Sequence, residues 1–183
     1  MMGLQYGADF GAPVRIRSSD MPANKPMSPG GEHLTEKSAL AKARSALPKF
    51  NDILIVEDEV LDANRMQGTL RSLFGYDVSM RVATTLGKAL DAVIERKPDI
   101  VFLDDQLKPK DNASETIPFL RRCNYEGPII IISGMLNQRR AAELTRAGAV
   151  VAIHKDQLDS RVIEEAIIKV HASFVAEMKR AAE

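Results

Sequence analysis

A doubly wound α/β fold on a five-stranded parallel sheet is what this sequence predicts, and two patterns predict it. Five short runs rich in Val and Ile, "DILIV", "DVSMRV", "DIVFL", "PIIII" and "AVVAI", recur between Asp52 and Ile153, and stretches with helical spacing separate them. Most of these runs are apolar along their whole length rather than at alternate positions, so both sheet faces need a covering of helices.

Taken in order, residues 1 to about 33 are dense in Gly, Pro, Ser and Asn, with no apolar period of a strand or helix. Such a stretch cannot bury enough surface to offset its ordering entropy. Residues 1–50 are therefore expected to form a disordered tail. Within it the Ala-rich "LTEKSALAKARSAL" could form a short helix over 35–47, capped by Thr35 and stopped by Pro48. From Asn51 the pattern becomes regular. Leu61, Met66, Leu70, Leu73 and Phe74 mark a first helix, and Leu86, Ala89, Leu90, Val93 and Ile94 a second with Thr84 or Thr85 as its cap. Pro118 is expected to confine the start of the third helix, since proline fits a first turn. The last helix should begin near Asp159 or Ser160 and run without a breaker towards Glu183, with Val162, Ile163, Ala166, Ile167, Val170, Phe174 and Met178 on one stripe. This divides the chain into the tail, one domain over 51–170, and an extension of the last helix over 171–183. The extension reads either as the frayed end of a long core helix or as a docking face for a partner or a second protomer.

With 183 residues the chain has room for one ordinary domain, and its 25 basic and 25 acidic residues cancel. No global field recruits nucleic acid or an anionic membrane, and neither partner is expected. No apolar run is long enough to span a bilayer. Cys123 is the single cysteine, so no internal disulfide can form, and no leader pattern opens the sequence. A cytoplasmic location is the default expectation.

In an open parallel sheet the usable crevice lies beyond the carboxyl ends of the strands. The runs deliver polar residues to that edge: Glu57 and Asp58 after the first, Asp104 and Asp105 after the third, Ser133 and Gly134 after the fourth, His154 and Lys155 after the fifth. Carboxylates gathered in one pocket repel each other unless a cation sits among them. A small hard ion with oxygen ligands, Mg²⁺, would resolve that conflict.

The ordered set "ILIVEDE", "PDIVFLDD", "IIIISG" and "AIHK" resembles the receiver domain of two-component response regulators, over residues 52 to about 168. The resemblance implies a flavodoxin-like receiver fold and an aspartate, here Asp104, that accepts a phosphoryl group from a histidine kinase or phosphotransfer protein. It also implies that Glu57 and Asp58 hold Mg²⁺ together with Asp104, that Ser133 and Lys155 contact phosphoryl oxygens, and that Gly134 leaves room for the incoming group. Asp105 should turn away from the pocket or border it, because neighbours on a strand face opposite sides. His154 is read as a structural bystander, and Arg139, Arg140 and Arg146 as a solvated face. The expected output of this stand-alone receiver is contact with a downstream protein.

The sequence also departs from the family. Asp156 follows Lys155 where proline is usual, so "KDQLDS" is expected to cap the last helix. Ala152 stands where many receivers carry an aromatic side chain that moves with the strand-four hydroxyl. The segment "DDQLKPKDNASETIPFL" is several residues too long, with Pro109 displaced; Gln106 and Met135 sit where variable residues influence water access. Two other functions remain open. Ala152 and Asp156 suit a phosphorylation-independent protein- or nucleotide-binding module. An aspartyl-phosphate phosphatase would need a second acid two residues after the nucleophile, and Gln106 occupies that place.

Overall fold

The computed structural model describes residues 47–108 and 110–181. The expected tail and the helix over 35–47 lie outside the described residues, save for Leu47 to Phe50, and so does Pro109.

Strands β1 (Asp52–Val56), β2 (Ser79–Ala83), β3 (Ile100–Asp104), β6 (Ile129–Ser133) and β7 (Val151–His154) form a parallel sheet in the order β2-β1-β3-β6-β7. Helices α1 (Val60–Phe74), α2 (Leu86–Glu95), α3 (Ala113–Arg122), α4 (Gln138–Arg146) and α5 (Ser160–Ala181) alternate with the strands. The order reverses between β1 and β3, which opens a crevice at their carboxyl ends.

Strand alternation divides the core in two. Ile53, Ile55, Ile100, Phe102, Ile130, Ile132 and Ile153 point to one face, covered by Met66 and Leu70 of α1 and by Ile163, Ile167 and Val170 of α5. Leu54, Val56, Val101, Leu103, Ile129 and Ile131 point to the other, under Val93 of α2, Ile117 and Leu120 of α3, and Leu144 of α4. Leu47 and Phe50 pack into the first cluster, so the packed unit extends upstream of residue 51. Phe50 also stacks on Phe74 with ring centroids 5.4 Å apart.

The helix stripes are narrower than the sequence suggests. Leu61 and Ile94 stand exposed at the outer turns of α1 and α2. Thr85 caps α2, its hydroxyl accepting from the backbone N–H of Lys88. In α5 burial ends at Val170, while Val175 and Met178 lie in the exposed final turns. Asp159 accepts from the N–H of Val162 at 2.9 Å and so caps α5, as the acidic loop suggested.

Two expectations for the segment after β3 need correcting or completing. Its extra residues form a small antiparallel hairpin, β4 (Gln106–Leu107) with β5 (Asp111–Asn112). Asn112 then caps α3 by accepting from the N–H of Glu115, so the helix starts at Ala113 and Pro118 sits in its interior rather than its first turn. The cap and the buried stripe Ala113, Ile117 and Leu120 set the start, and these contacts outweigh the backbone hydrogen bond that proline cannot donate. No helix among the described residues is long and apolar enough to cross a membrane.

Candidate functional site

The parity of each strand sorts the polar residues at the sheet's carboxyl edge. Glu57 continues the row of Ile53 and Ile55, Asp104 that of Ile100 and Phe102, and Lys155 that of Ile153, so all three emerge on the α1/α5 side. Asp105 and Ser133 carry the opposite parity and emerge on the α3/α4 side with Leu103 and Ile131. The register brings the tips level: Val56 pairs with Leu103, Asp104 with Ile132 and Ser133 with His154.

The α1/α5 side holds an acidic cleft of about 260 Å³, with Glu57, Asp58, Asp62, Asp104, Lys108 and Lys155 in its wall and Ser133, Gly134 and Met135 along its rim. Lys155 is its hub. The Nζ donates to Glu57 Oε2 at 2.8 Å, Asp62 Oδ2 at 2.8 Å and Asp104 Oδ2 at 3.1 Å. The other oxygen of Asp104 accepts from the N–H of Gln106 at 3.3 Å. Lys108, on the turn of the β4–β5 hairpin, reaches across to Glu59 at 3.2 Å and Asp58 at 3.4 Å.

Two lysines do not neutralise this many acids. Burial pushes the Glu57 carboxyl up to about 7, with the charge on Asp104 adding to the shift and the Lys155 hydrogen bond opposing it. Lys155 is buried too, which disfavours its charge, yet its bonds to Asp62, Glu57 and Asp104 hold it well above the ordinary lysine range. Glu57, Asp58 and Asp104 each place a carboxylate oxygen within 4.8 Å of the others. Such a set of hard oxygen donors with surplus negative charge suits a Mg²⁺ ion that keeps some of its waters.

On the α3/α4 side Asp105 is buried and fully partnered. Ser133 Oγ donates to its Oδ2 at 3.0 Å, and Arg140 Nε donates to the same oxygen at 2.9 Å. Arg140 is therefore not part of a solvated face as the sequence suggested; its side chain is only 21% exposed. Arg139 does stay in solvent, paired with Glu143. His154 turns from the cleft and caps the short 3-10 turn Lys155–Gln157, its Nδ1 accepting from the N–H of Asp156 at 3.2 Å.

The sequence pattern thus brings Glu57, Asp58, Asp104 and Lys155 to one cleft and Ser133 to its rim. The sequence does not single out Asp62 or Lys108, and it puts Arg140 on a solvated face. Asp62 lies in the first turn of α1, which starts two residues after Asp58, a position that could have placed it over the same edge. Lys108 and Arg140 depend on the hairpin and on tertiary docking, which leave no local signal.

A sheet of this order with this acidic edge defines a class, and the chain matches the response regulator receiver domain over residues 53–167. It belongs to that family. The chemotaxis protein CheY of Thermotoga maritima is 31% identical over 112 residues, covering 61% of this chain and 91% of CheY. The nitrogen assimilation regulatory protein NtrX of Azorhizobium caulinodans is 33% identical over 106 residues, covering 57% of this chain. This chain spans only 23% of that protein's length. The crystal structure of the NtrX receiver domain from Brucella abortus aligns with a TM-score of 0.55 at 30% identity, covering 63% of this chain and 98% of that one.

Proposed function

We propose that this chain acts as a receiver that takes a phosphoryl group onto Asp104 from a histidine kinase or phosphotransfer protein and signals through protein contact. The observation that carries the reading is Lys155 Nζ bridging Glu57, Asp62 and Asp104 in a cleft short of positive charge. In this reading an Asp104 oxygen attacks phosphorus as the bond to the donor's imidazole nitrogen breaks. The leaving nitrogen keeps the electron pair and takes a proton from solvent. Lys155 carries its charge to one phosphoryl oxygen, exchanging a carboxylate partner for it. Ser133 turns its hydroxyl to another. At Gly134 nothing lies within 4 Å of where a Cβ would stand, which leaves space for the incoming group. Glu57, Asp58 and Asp104 would hold Mg²⁺, which when bound neutralises charge on the transferring group.

The receiver spans about residues 51–170 in this proposal, with 171–181 as an added length of α5 whose exposed Val175 and Met178 offer a face for a downstream protein or a second protomer. A cytoplasmic location fits a phosphorelay of this kind. The competing reading, a binding module that ignores phosphate, draws on Ala152 and Asp156; partner affinity would then be the same with and without phosphodonor. Phosphatase turnover is disfavoured by Gln106, which cannot donate a proton as an acid would.

Incubation with acetyl phosphate and Mg²⁺ followed by intact-mass measurement tests the assignment. The parent chain should gain one phosphoryl mass and Asp104→Asn none; equal labelling of both would defeat it.

A further inference from the structure

Ser133 has one hydroxyl proton, and it is already committed. Its Oγ donates to Asp105 Oδ2 at 3.0 Å and accepts from the N–H of Met135 at 3.2 Å. To donate to a phosphoryl oxygen on Asp104, Ser133 has to release Asp105. Asp105 is only 2% exposed, so its partners decide what happens next. Arg140 grips it through Nε, 2.9 Å from Oδ2 and 3.1 Å from Oδ1, while Nη2 closes the fork on Oδ1.

Arg140 is itself fixed within α4. Its Nη1 donates to Glu143 Oε2 at 3.1 Å, and its backbone N–H donates to the capping Asn137 Oδ1 at 2.9 Å. A planar guanidinium bound by two parallel hydrogen bonds has little freedom to slide. Asp105 therefore ties the tip of β3 to the first turn of α4, and Ser133 is the third member of the tie. Ala152, which packs against the same core face, has only a methyl group and cannot follow a moving hydroxyl.

We propose that Asp105 and Arg140 are positioning residues that hold Ser133 off the phosphoryl site and transmit its release to α4. The inference rests on Asp104 being the acceptor. When Ser133 turns to the phosphoryl group, Asp105 loses a donor and draws on Arg140 alone, so the start of α4 shifts with it. Reciprocity follows: whatever frees Ser133 from Asp105 strengthens phosphoryl binding, and phosphoryl binding frees Ser133 from Asp105 and so shifts the start of α4.

Beryllofluoride, a phosphoryl mimic, titrated with Mg²⁺ into the full chain tests this at equilibrium, with the amide signals of Gln138–Arg146 as the second readout. The informative variant is the double Asp105→Leu/Arg140→Leu, which removes both charges and strands neither. It should bind beryllofluoride about tenfold tighter than the parent, the worth of a released hydrogen bond to a charged group. Its α4 amides should no longer respond to binding. Placed on Ser133→Ala, the same double substitution should give no gain over Ser133→Ala alone. Unchanged affinity, a gain that persists without the Ser133 hydroxyl, or an unaltered α4 response would each overturn the latch. Asp104→Asn separates the two levels: if it binds beryllofluoride like the parent, the acceptor reading fails and the latch with it, whereas a failure confined to the pair variants leaves the acceptor reading standing.

Discussion

Asp52 and Glu57 lie at opposite ends of β1, and both are buried to the same degree, 5% exposed. Their surroundings differ in charge balance. At the amino edge of the sheet Asp52 accepts from two guanidinium groups, Arg81 Nε at 3.1 Å and Arg96 Nη2 at 2.9 Å. Arg81 in turn donates to the backbone oxygens of Ala92 and Arg96, so the cluster stitches β1, β2 and the end of α2 together. Burial alone would raise the Asp52 pKa, but the arginines outweigh it and hold the carboxyl below its ordinary range. At the carboxyl edge Glu57 shares one lysine with Asp62 and Asp104 and sits against the Asp104 charge, and its carboxyl is pushed up to about 7. A buried carboxylate with its charge answered in full is a staple. One left short of positive charge is a site waiting for a cation.

The largest effect is expected at the staple. Asp52→Ala leaves two arginines without their acceptor and should cost about 3 kcal/mol of unfolding free energy in urea at pH 7. A loss under 1 kcal/mol would mean the cluster is a surface pair of little consequence. Its pH dependence follows from the lowered pKa: the contribution of Asp52 is complete above the ordinary value of 3.8 and disappears as pH falls through the depressed one.

Glu57 should behave in the opposite sense. Its neutral form is favoured in the folded chain, so without a divalent ion stability declines as pH rises from the ordinary value of 4.5 to about 7. Glu57→Gln should accordingly stabilise the metal-free chain by about 2 kcal/mol at pH 8 and change little at pH 4. Denaturation curves at the two pH values check it, and an equal effect at both would contradict the charge argument.

The smallest effect is expected at the mouth of the cleft. Lys108 sets an exposed ammonium 3.4 Å from Asp58, where it competes with an incoming cation. Calorimetry should find that Lys108→Ala binds Mg²⁺ about threefold more tightly, a modest change because exposed charges are screened. Weaker binding would instead give the lysine a supporting role.

Much of this was legible in the sequence because strand parity and strand ends are local properties. Apolar runs that stop on "ED", "DD", "SG" and "HK" fix both the sheet and the residues at its edge. The neighbouring aspartates of "FLDDQ" part company for the same reason: Asp104 continues the row of Phe102 towards Lys155, and Asp105 that of Leu103 towards Arg140. What the sequence hid are pairings across distant segments. Asp52 with Arg81 and Arg96, Lys155 with Asp62, and Asp105 with Arg140 form only once helices dock, and charge patterns along the chain do not distinguish such an arginine from a solvated one. Pro118 misleads for a related reason, since tertiary burial of its helix face overrides a local preference.

The carboxyl edge carries uncompensated acid that a divalent ion would complete, and Mg²⁺ affinity as a function of pH measures this. Because Glu57 titrates near 7, binding should weaken by up to tenfold per unit as pH falls below that value, with the amide signals next to Glu57, Asp58 and Asp104 moving on titration. Affinity that is flat between pH 5.5 and 8, values bracketing about 7, or amide shifts located away from this edge, would contradict it.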